Sequence, residues 1–166
     1  MLPNYLRSNI VEHLSGNGKT IVRFYNDTSG TLSRGAIKVA SPKFIAAEGV
    51  VVAVAAPATQ ATDSNIIGIV IGDLEGATTV ADATYGLLQI EGPFGSLAEA
   101  FGVPTTGTVA ANDGLQVLNA AAALIDSGGN GGAVLLPETV AIAIELVTTD
   151  VWAVYLLGKP SSIEAT

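Results

Sequence analysis

The stretch IIGIVIGDL, residues 66–74, decides the fold class of this chain. Its isoleucine and valine residues favour an extended strand, and after an insertion it leads to a second apolar run, YGLLQIEGP (85–93). The same order recurs where TVAIAIELV (139–147) leads to VWAVYLLGKP (151–160), so both parts follow the order strand, turn, strand, glycine, proline. The second strands differ by one residue in register, which would turn their side chains to the opposite face. The pattern therefore predicts two similar hairpins rather than exact copies.

Apolar runs alternate with turn signals along most of the remaining chain, which is typical of β-sandwiches and β-barrels. The clearest turn signals are NDTSG (26–30), NDG (112–114) and DSGGNGG (126–132). We expect an all-β fold, a compact β-barrel or β-sandwich of short antiparallel strands, with residues 120–125 as the return arm of a hairpin. The predicted strands cover residues 20–25, 36–40, 50–55, 66–71, 85–91, 115–118, 133–136, 139–147 and 151–157.

One short helix is predicted at SLAEAFG, residues 96–102. Ser96 can cap its first turn, Glu99 can return the hydrogen bond three residues later, and Gly102 can end it. Residues 1–19 mix polar and apolar side chains in a way that a core strand would not, so they are interpreted as an N-terminal arm. The predicted division is an arm (1–19), a β-barrel or β-sandwich domain (20–160) and a C-terminal tail (161–166).

Composition and charge exclude several classes of protein. The 166 residues are 49% hydrophobic but only 5% aromatic, which predicts one domain with a core of Ala, Val, Ile and Leu. The net charge of −8 argues against a nucleic-acid partner, and the absence of cysteine excludes disulfides and thiolate zinc sites. The most apolar run, GVVVAVAAPA (49–58), is too short to span a membrane. We expect synthesis in the cytoplasm, with neither an export signal nor a membrane partner.

The segment SGNGKT (15–20) resembles the end of a phosphate-binding loop. Such a loop needs a glycine five positions before its second glycine, and His13 stands there. It also needs a helix after the loop, whereas the β-branched and aromatic residues 20–25 favour a strand. The sequence therefore predicts a glycine turn and no nucleotide cofactor.

No catalytic residues are predicted. The chain has one histidine, no cysteine and no G-x-S-x-G elbow, so a nucleophile would depend on His13 in the predicted arm. A glycosidase-type pair could be drawn from Asp73, Glu75, Asp82 and Glu91, but carboxylates in the loops of an acidic domain are usually solvated. We expect a protein that is not an enzyme.

Metal and sugar sites are not predicted either. In DSGGNGG, Asp126 and Asn130 supply too few oxygen ligands for calcium. Trp152 and Tyr155 are three residues apart in a predicted strand, so they lie on opposite faces and cannot form one sugar-binding platform. Contacts in the core or between subunits are the expected role of these two aromatic residues.

Several segments, taken in order, resemble one family. They are TLSRGAIKVA (31–40), GVVVAVAAP (49–57), the pair IGIVIGDL (67–74) and YGLLQIEGP (85–93), TVAANDGLQVLNAAAAL (108–124), and AIAIELV (141–147) with VWAVYLLG (151–158). Over about residues 24–159 the chain resembles the small head decoration, or cement, proteins of tailed bacteriophages. The longer N-terminal segment and the SLAEAF insertion depart from that pattern.

The resemblance implies a β-barrel or β-sandwich on the exterior of an assembled capsid, often as a homotrimer at three-fold or local three-fold positions. The implied partners are the major capsid protein and other copies of this chain, and the implied location is the virion surface. The expected function is to stabilise the expanded head against the pressure of packed DNA. A carbohydrate-binding or adhesive β-module is the alternative.

The apolar residues of the predicted arm are the expected contacts with the capsid or with neighbouring subunits, since a short segment can become ordered across a partner's surface. These residues are Leu2, Pro3, Tyr5, Leu6, Ile10 and Val11.

Overall fold

The computed structural model describes residues 4–7, 9–14, 18–57, 66–117, 123–127 and 139–158. Over these residues the chain is all-β apart from one helical turn, which confirms the predicted all-β class. In chain order the elements are α1 (Asn4–Arg7), β1 (Ile10–Leu14), β2 (Lys19–Tyr25), β3 (Leu32–Ser33), β4 (Ile37–Ile45), β5 (Gly49–Ala55), β6 (Ile66–Asp73), β7 (Thr79–Val80), β8 (Tyr85–Phe94), β9 (Val103–Thr106), β10 (Gly114–Val117), β11 (Leu124–Asp126), β12 (Ala141–Thr148) and β13 (Val151–Leu157).

Five strands close into a small barrel, which we name the first barrel. β2 pairs with β5 and with β8, and the order β5, β4, β6, β8 completes the circle. Only the pairing of β2 with β5 is parallel. The associated apolar core is formed by Leu6, Val22, Phe24, Leu32, Ala40, Val52, Val54, Ile66, Val70, Val80, Leu88 and Ile90.

Five further strands close into another ring, which we name the second barrel. β13 pairs with β12 and with β9, and the order β12, β10, β11, β9 completes the circle. Only the pairing of β9 with β11 is parallel. The end of β8 connects the two barrels, because Glu91 to Phe94 pair with β13. The pairing of β11 with β10 confirms the end of the predicted return arm at residues 124–125, while residues 120–122 lie outside the described residues.

The two barrels have the same strand connectivity. In chain order the ring strands are β2, β4, β5, β6 and β8 in the first barrel, and β9, β10, β11, β12 and β13 in the second. In each barrel the first ring strand pairs in parallel with the third. In both barrels antiparallel pairings join the third ring strand to the second, the second to the fourth, the fourth to the fifth, and the fifth to the first. β6 and β8 therefore correspond to β12 and β13, which are the two hairpins that resemble each other in sequence.

The corresponding hairpins also share their irregularities. In β6 the register shifts after Val70 and leaves Ile71 in a bulge, and in β12 it shifts after Ala143 and leaves Ile144 in a bulge. The main-chain N–H of Val70 donates to the carbonyl of Ala36 at 3.0 Å. At the matching place the N–H of Ala143 donates to the carbonyl preceding β10 at 2.9 Å. The backbone of the second barrel thus repeats that of the first in detail.

The one-residue difference in register noted in the sequence does not separate the hairpins. Val70 pairs with Leu88, which lies four residues before Gly92. Ala143 pairs with Val154, which lies four residues before Gly158. Both glycines have a left-handed φ, of 92° and 66°. The difference lies after these glycines, where proline follows directly in one hairpin and one residue later in the other. The predicted one-residue difference is therefore absent from the paired strands, although β12 has a second shift between Leu146 and Thr148 that β6 lacks.

Large and small side chains exchange places between the two barrels. In the first barrel Phe24 on β2 pairs with Gly86 on β8, and in the second barrel Val103 on β9 pairs with Trp152 on β13. A Cβ atom on Gly86 would lie 2.8 Å from the ring of Phe24. Each barrel therefore has room for one large aromatic side chain at this level. It is supplied by β2 in the first barrel and by β13, the counterpart of β8, in the second.

Strand β6 is buried on both faces. Ile66 and Val70 point into the core of the first barrel, whereas Ile67 and Ile69 belong to the core cluster of the second barrel. Gly68 also faces the first core, where an added Cβ would lie 2.6 Å from Leu88. This double burial explains why the stretch from residue 66 is apolar without the alternation of a surface strand.

Two predicted features of the chain are corrected by the structure. SLAEAF is not a helix, because Ser96 and Phe101 exchange two main-chain hydrogen bonds of 2.9 and 3.1 Å and enclose a turn in which Ala100 has a φ of 53°. Ser96 Oγ still accepts from the N–H of Glu99 at 3.3 Å, as a capping residue would. The capping signal was present, but the strands on both sides close the segment as a β-turn.

The free N-terminal arm is not confirmed. β1 pairs with β2 from Ile10 opposite Val22 to Leu14 opposite Lys19, and the side chain of Leu6 is fully buried in the first core. The mixed polar and apolar composition that suggested an arm is that of an edge strand preceded by one anchoring residue. The predicted strand at 133–136 and the predicted tail at 161–166 lie outside the described residues.

We expect Gly86→Ala to destabilise the chain by about 1–3 kcal/mol, because the added methyl group overpacks the first core against Phe24. Urea denaturation measures the change in the free energy of unfolding. Gly30→Ala is the matched control, since a Cβ there meets no atom within 4 Å. Phe24→Leu should recover part of the loss when combined with Gly86→Ala. Equal effects of the two glycine substitutions would contradict this account of packing.

Candidate functional site

The residues predicted as contacts differ in their environment. Leu2 and Pro3 lie outside the described residues, and Tyr5 lies in α1. Leu6 is fully buried within its own chain, so it is not available to a partner in this conformation. Ile10 is partly buried against the first core. Val11 is 57% exposed and is the one predicted contact whose side chain is described at the surface.

The most exposed apolar residues lie at the end of the hairpin of β4 and β5, which is longer than its counterpart in the second barrel. Phe44 and Val50 are directly opposed across this hairpin and are 71% and 72% exposed. We name this pair the hairpin tip. The predicted strands cover residues 36–40 and 50–55, so the tip falls partly between them and was not predicted. The turn signal AAEG (46–49) could have located it.

Polar contacts fix the hairpin tip to the body of the first barrel. The ammonium group of Lys43 forms an ion pair with Asp27, and the hydroxyl of Tyr85 donates to Glu48 Oε2 at 2.7 Å. This hydrogen bond to Glu48 raises the pKa of the Tyr85 hydroxyl above its ordinary value. The tip is therefore held by two contacts that leave its apolar side chains exposed to solvent.

A second exposed apolar surface lies on the outside of the second barrel. Ile142 on β12 is directly opposed to Tyr155 on β13, and Ile144 follows in the bulge of β12. Ile142 is half-buried, while Ile144 and Tyr155 are 45% and 38% exposed. We name these three residues the second-barrel face.

Aromatic and carboxylate groups line a shallow depression beside the first barrel. Its volume is about 500 Å³, and it is bordered by Asp73, Leu74, Glu75, Thr79, Ala81, Thr84 and Tyr85. The ring of Tyr85 makes an edge-to-face contact with Tyr25 at 5.1 Å between centroids, and the guanidinium group of Arg23 lies 4.7 Å from the Tyr85 ring. Tyr85 is not among the site residues predicted from the sequence.

Three of the four carboxylates considered for catalysis accept hydrogen bonds within turns and strands. Asp73 accepts from the main-chain N–H groups of Glu75 and Ala77 at 2.9 and 2.8 Å. Asp82 accepts from a main-chain N–H at 3.0 Å, and Glu91 accepts from the Thr20 hydroxyl at 2.9 Å. Among the described residues, no three carboxylate, histidine or cysteine side chains cluster as metal ligands would.

The two aromatic residues of β13 lie on opposite faces, as their spacing predicted. Trp152 is 8% exposed and belongs to the core cluster of the second barrel, whereas Tyr155 is on the second-barrel face. Lys38, which occupies the position of the fully buried Leu115 in the second barrel, is half-buried. Burial lowers the pKa of its ammonium group.

Comparison with protein-family models, with curated proteins and with solved structures gives no match to this chain. Within the described ranges no helix is long and apolar enough to span a membrane.

We expect Leu6→Ala to lower the free energy of unfolding by about 2–5 kcal/mol, because it leaves a cavity in the first core. Val11→Ala should change it by no more than about 0.5 kcal/mol, since this side chain is exposed. Thermal and urea unfolding of the two variants measure the difference. If both variants are as stable as the parent chain, residues 4–7 do not contribute to the core.

Proposed function

We propose that this protein is a structural virion protein that binds the exterior of an expanded phage head and stabilises it. The partners in this proposal are the major capsid protein and further copies of the chain, which associate as a homotrimer at three-fold or local three-fold positions. The proposed location is the capsid exterior, reached after synthesis in the host cytoplasm. In this role the protein acts through binding and not through catalysis.

The observation that carries the proposal is the distribution of exposed apolar side chains. Val11 lies at the sheet edge, Phe44 and Val50 at the hairpin tip, and Ile144 and Tyr155 on the second-barrel face. These surfaces lie on different elements of a compact double barrel, an arrangement suited to holding several neighbours at once. The resemblance of residues 24–159 to head decoration proteins supports the same function.

Stabilisation follows from preferential binding. A protein that binds the expanded shell but not its precursor lowers the free energy of the expanded state by mass action. Each copy needs only moderate affinity, because many copies act on one shell. Apolar contacts suit this task in a chain of net charge −8, since they do not depend on attraction between opposite charges.

Co-sedimentation with capsids tests the proposal. The purified chain should pellet with expanded heads and stay in the supernatant with precursor shells of the same phage, and bound heads should release DNA at a higher temperature than bare heads. The Gly30→Ala variant, which alters an open surface position, should behave like the parent chain. Equal binding to both shells, or to neither, would overturn the proposal.

One observation favours the carbohydrate-binding alternative, namely the depression in which Tyr85 lies beside Asp73 and Glu75. A tyrosine ring next to carboxylates can stack on a sugar and accept hydrogen bonds from its hydroxyl groups. Glycan arrays test this function. It is supported if the parent chain binds a glycan and Tyr85→Ala loses the binding while Tyr155→Ala keeps it. It is overturned if no glycan binds.

A further inference from the structure

The second-barrel face has a counterpart on the first barrel that is covered. The shared register places Ile69, Ile71 and Gln89 where the second barrel has Ile142, Ile144 and Tyr155, in that order. On the first barrel, Ile69 is 0% exposed, Gln89 is 2% exposed and Ile71 is partly buried. The same surface of the repeated unit is therefore closed in one barrel and open in the other.

On the first barrel Ile69 is covered by the core cluster of the second barrel, whereas Ile71 and Gln89 lie beside the connection between β8 and β9. This connection brings Phe94 and Phe101 into edge-to-face contact at 5.6 Å between centroids, in the same apolar cluster as Ile71. Arg34 lies 4.7 Å from the centroid of Phe101 and donates to the Ile71 carbonyl at 2.9 Å. This surface of the unit thus accepts aromatic side chains from a turn that packs across it.

The chain carries an exposed aromatic residue on a projecting turn that is suited to the open face. Phe44, with Val50 beside it, is the most exposed aromatic side chain among the described residues. The hairpin tip and the second-barrel face are both exposed in one molecule, so neither covers the other within a single chain. A contact between them must join two copies.

We propose that the hairpin tip of one copy packs on the second-barrel face of the next copy. This inference deepens the self-association within the proposed function and rests on it, while leaving the mode of capsid binding open. The contact joins two different surfaces, so it is head-to-tail and closes into a ring when its rotation allows. Three copies joined in this way would present six barrels around one axis. Phe44 is 71% exposed and offers the larger aromatic area to bury, which places it at the centre of the contact.

Charge makes this contact distinguishable from one with a basic partner. Two copies of a chain with net charge −8 repel each other at long range, and salt screens that repulsion. Added salt should therefore strengthen association between copies, whereas it would weaken binding to a positively charged surface.

Two complementary variants test the contact. Phe44→Glu places a charge on the hairpin tip and leaves the second-barrel face unchanged. Ile144→Glu places a charge on the second-barrel face and leaves the hairpin tip unchanged. Leu74→Glu is the control, because it makes the same charge change at another exposed apolar residue, which is 52% exposed. Circular dichroism and thermal unfolding first establish that all three variants are folded. Sedimentation velocity over a dilution series then measures the oligomeric state of the full chain, alone and in mixtures.

The parent chain and Leu74→Glu should self-associate, and each of the other two variants should be monomeric at the same concentration. An equimolar mixture of Phe44→Glu and Ile144→Glu should form dimers and no larger species, because one intact tip meets one intact face. A monomeric parent chain, or a mixture that stays monomeric, overturns the inference. So does continued self-association of either variant, which would indicate a like-with-like contact. Co-sedimentation with capsids is measured separately, so failure of this contact leaves the proposed function standing.

Discussion

The small interior of a five-stranded barrel is the constraint on which the rest of this structure depends. Barrel diameter grows with strand number, so five strands leave less room than the eight that enclose ordinary side chains. Each core therefore places a glycine or a small aliphatic residue opposite an aromatic one, as in Phe24 with Gly86 and Trp152 with Val103. Only 5% of the residues are aromatic, which is consistent with cores that have little room for rings.

A core this small cannot stabilise much structure alone, and the double barrel meets this limit through β6. This strand contributes Ile66 and Val70 to the first core and Ile67 and Ile69 to the second. The two barrels therefore bury apolar surface against each other, which enlarges the buried core of the chain. The buried amide of Asn26 adds polar contacts at the loops of the first barrel, with donations to the carbonyls of Gly30, Val80 and Ala81. The β3–β7 ribbon is tied to β2 in this way.

The fold class and most ring strands could be predicted from the sequence, because period-two patterns and turn residues are local signals. The second-barrel strand pairings could not, since β9, β10 and β11 span four residues or fewer and gain their stability from closure. The burial of Leu6 depends on a distant contact with the first core, and no local pattern indicates it. The equivalence of TLSRGAIKVA (31–40) and TVAANDGLQV (108–117) was also hidden, because few side chains match although the backbone bonds do.

The candidate surfaces arise where the two barrels differ, which a repeat pattern in the sequence cannot show. The first barrel has the longer hairpin that carries Phe44, and its outer face is covered by the second barrel and by the turn that carries Phe101. The second barrel has a two-residue turn between β12 and β13 and an outer face that remains open around Ile144. Because the connection between β8 and β9 packs on the first barrel, the corresponding apolar surface around Ile144 is exposed among the described residues. The paired part of the β4–β5 hairpin is also longer than the described part of the β10–β11 hairpin, and it carries the exposed ring of Phe44.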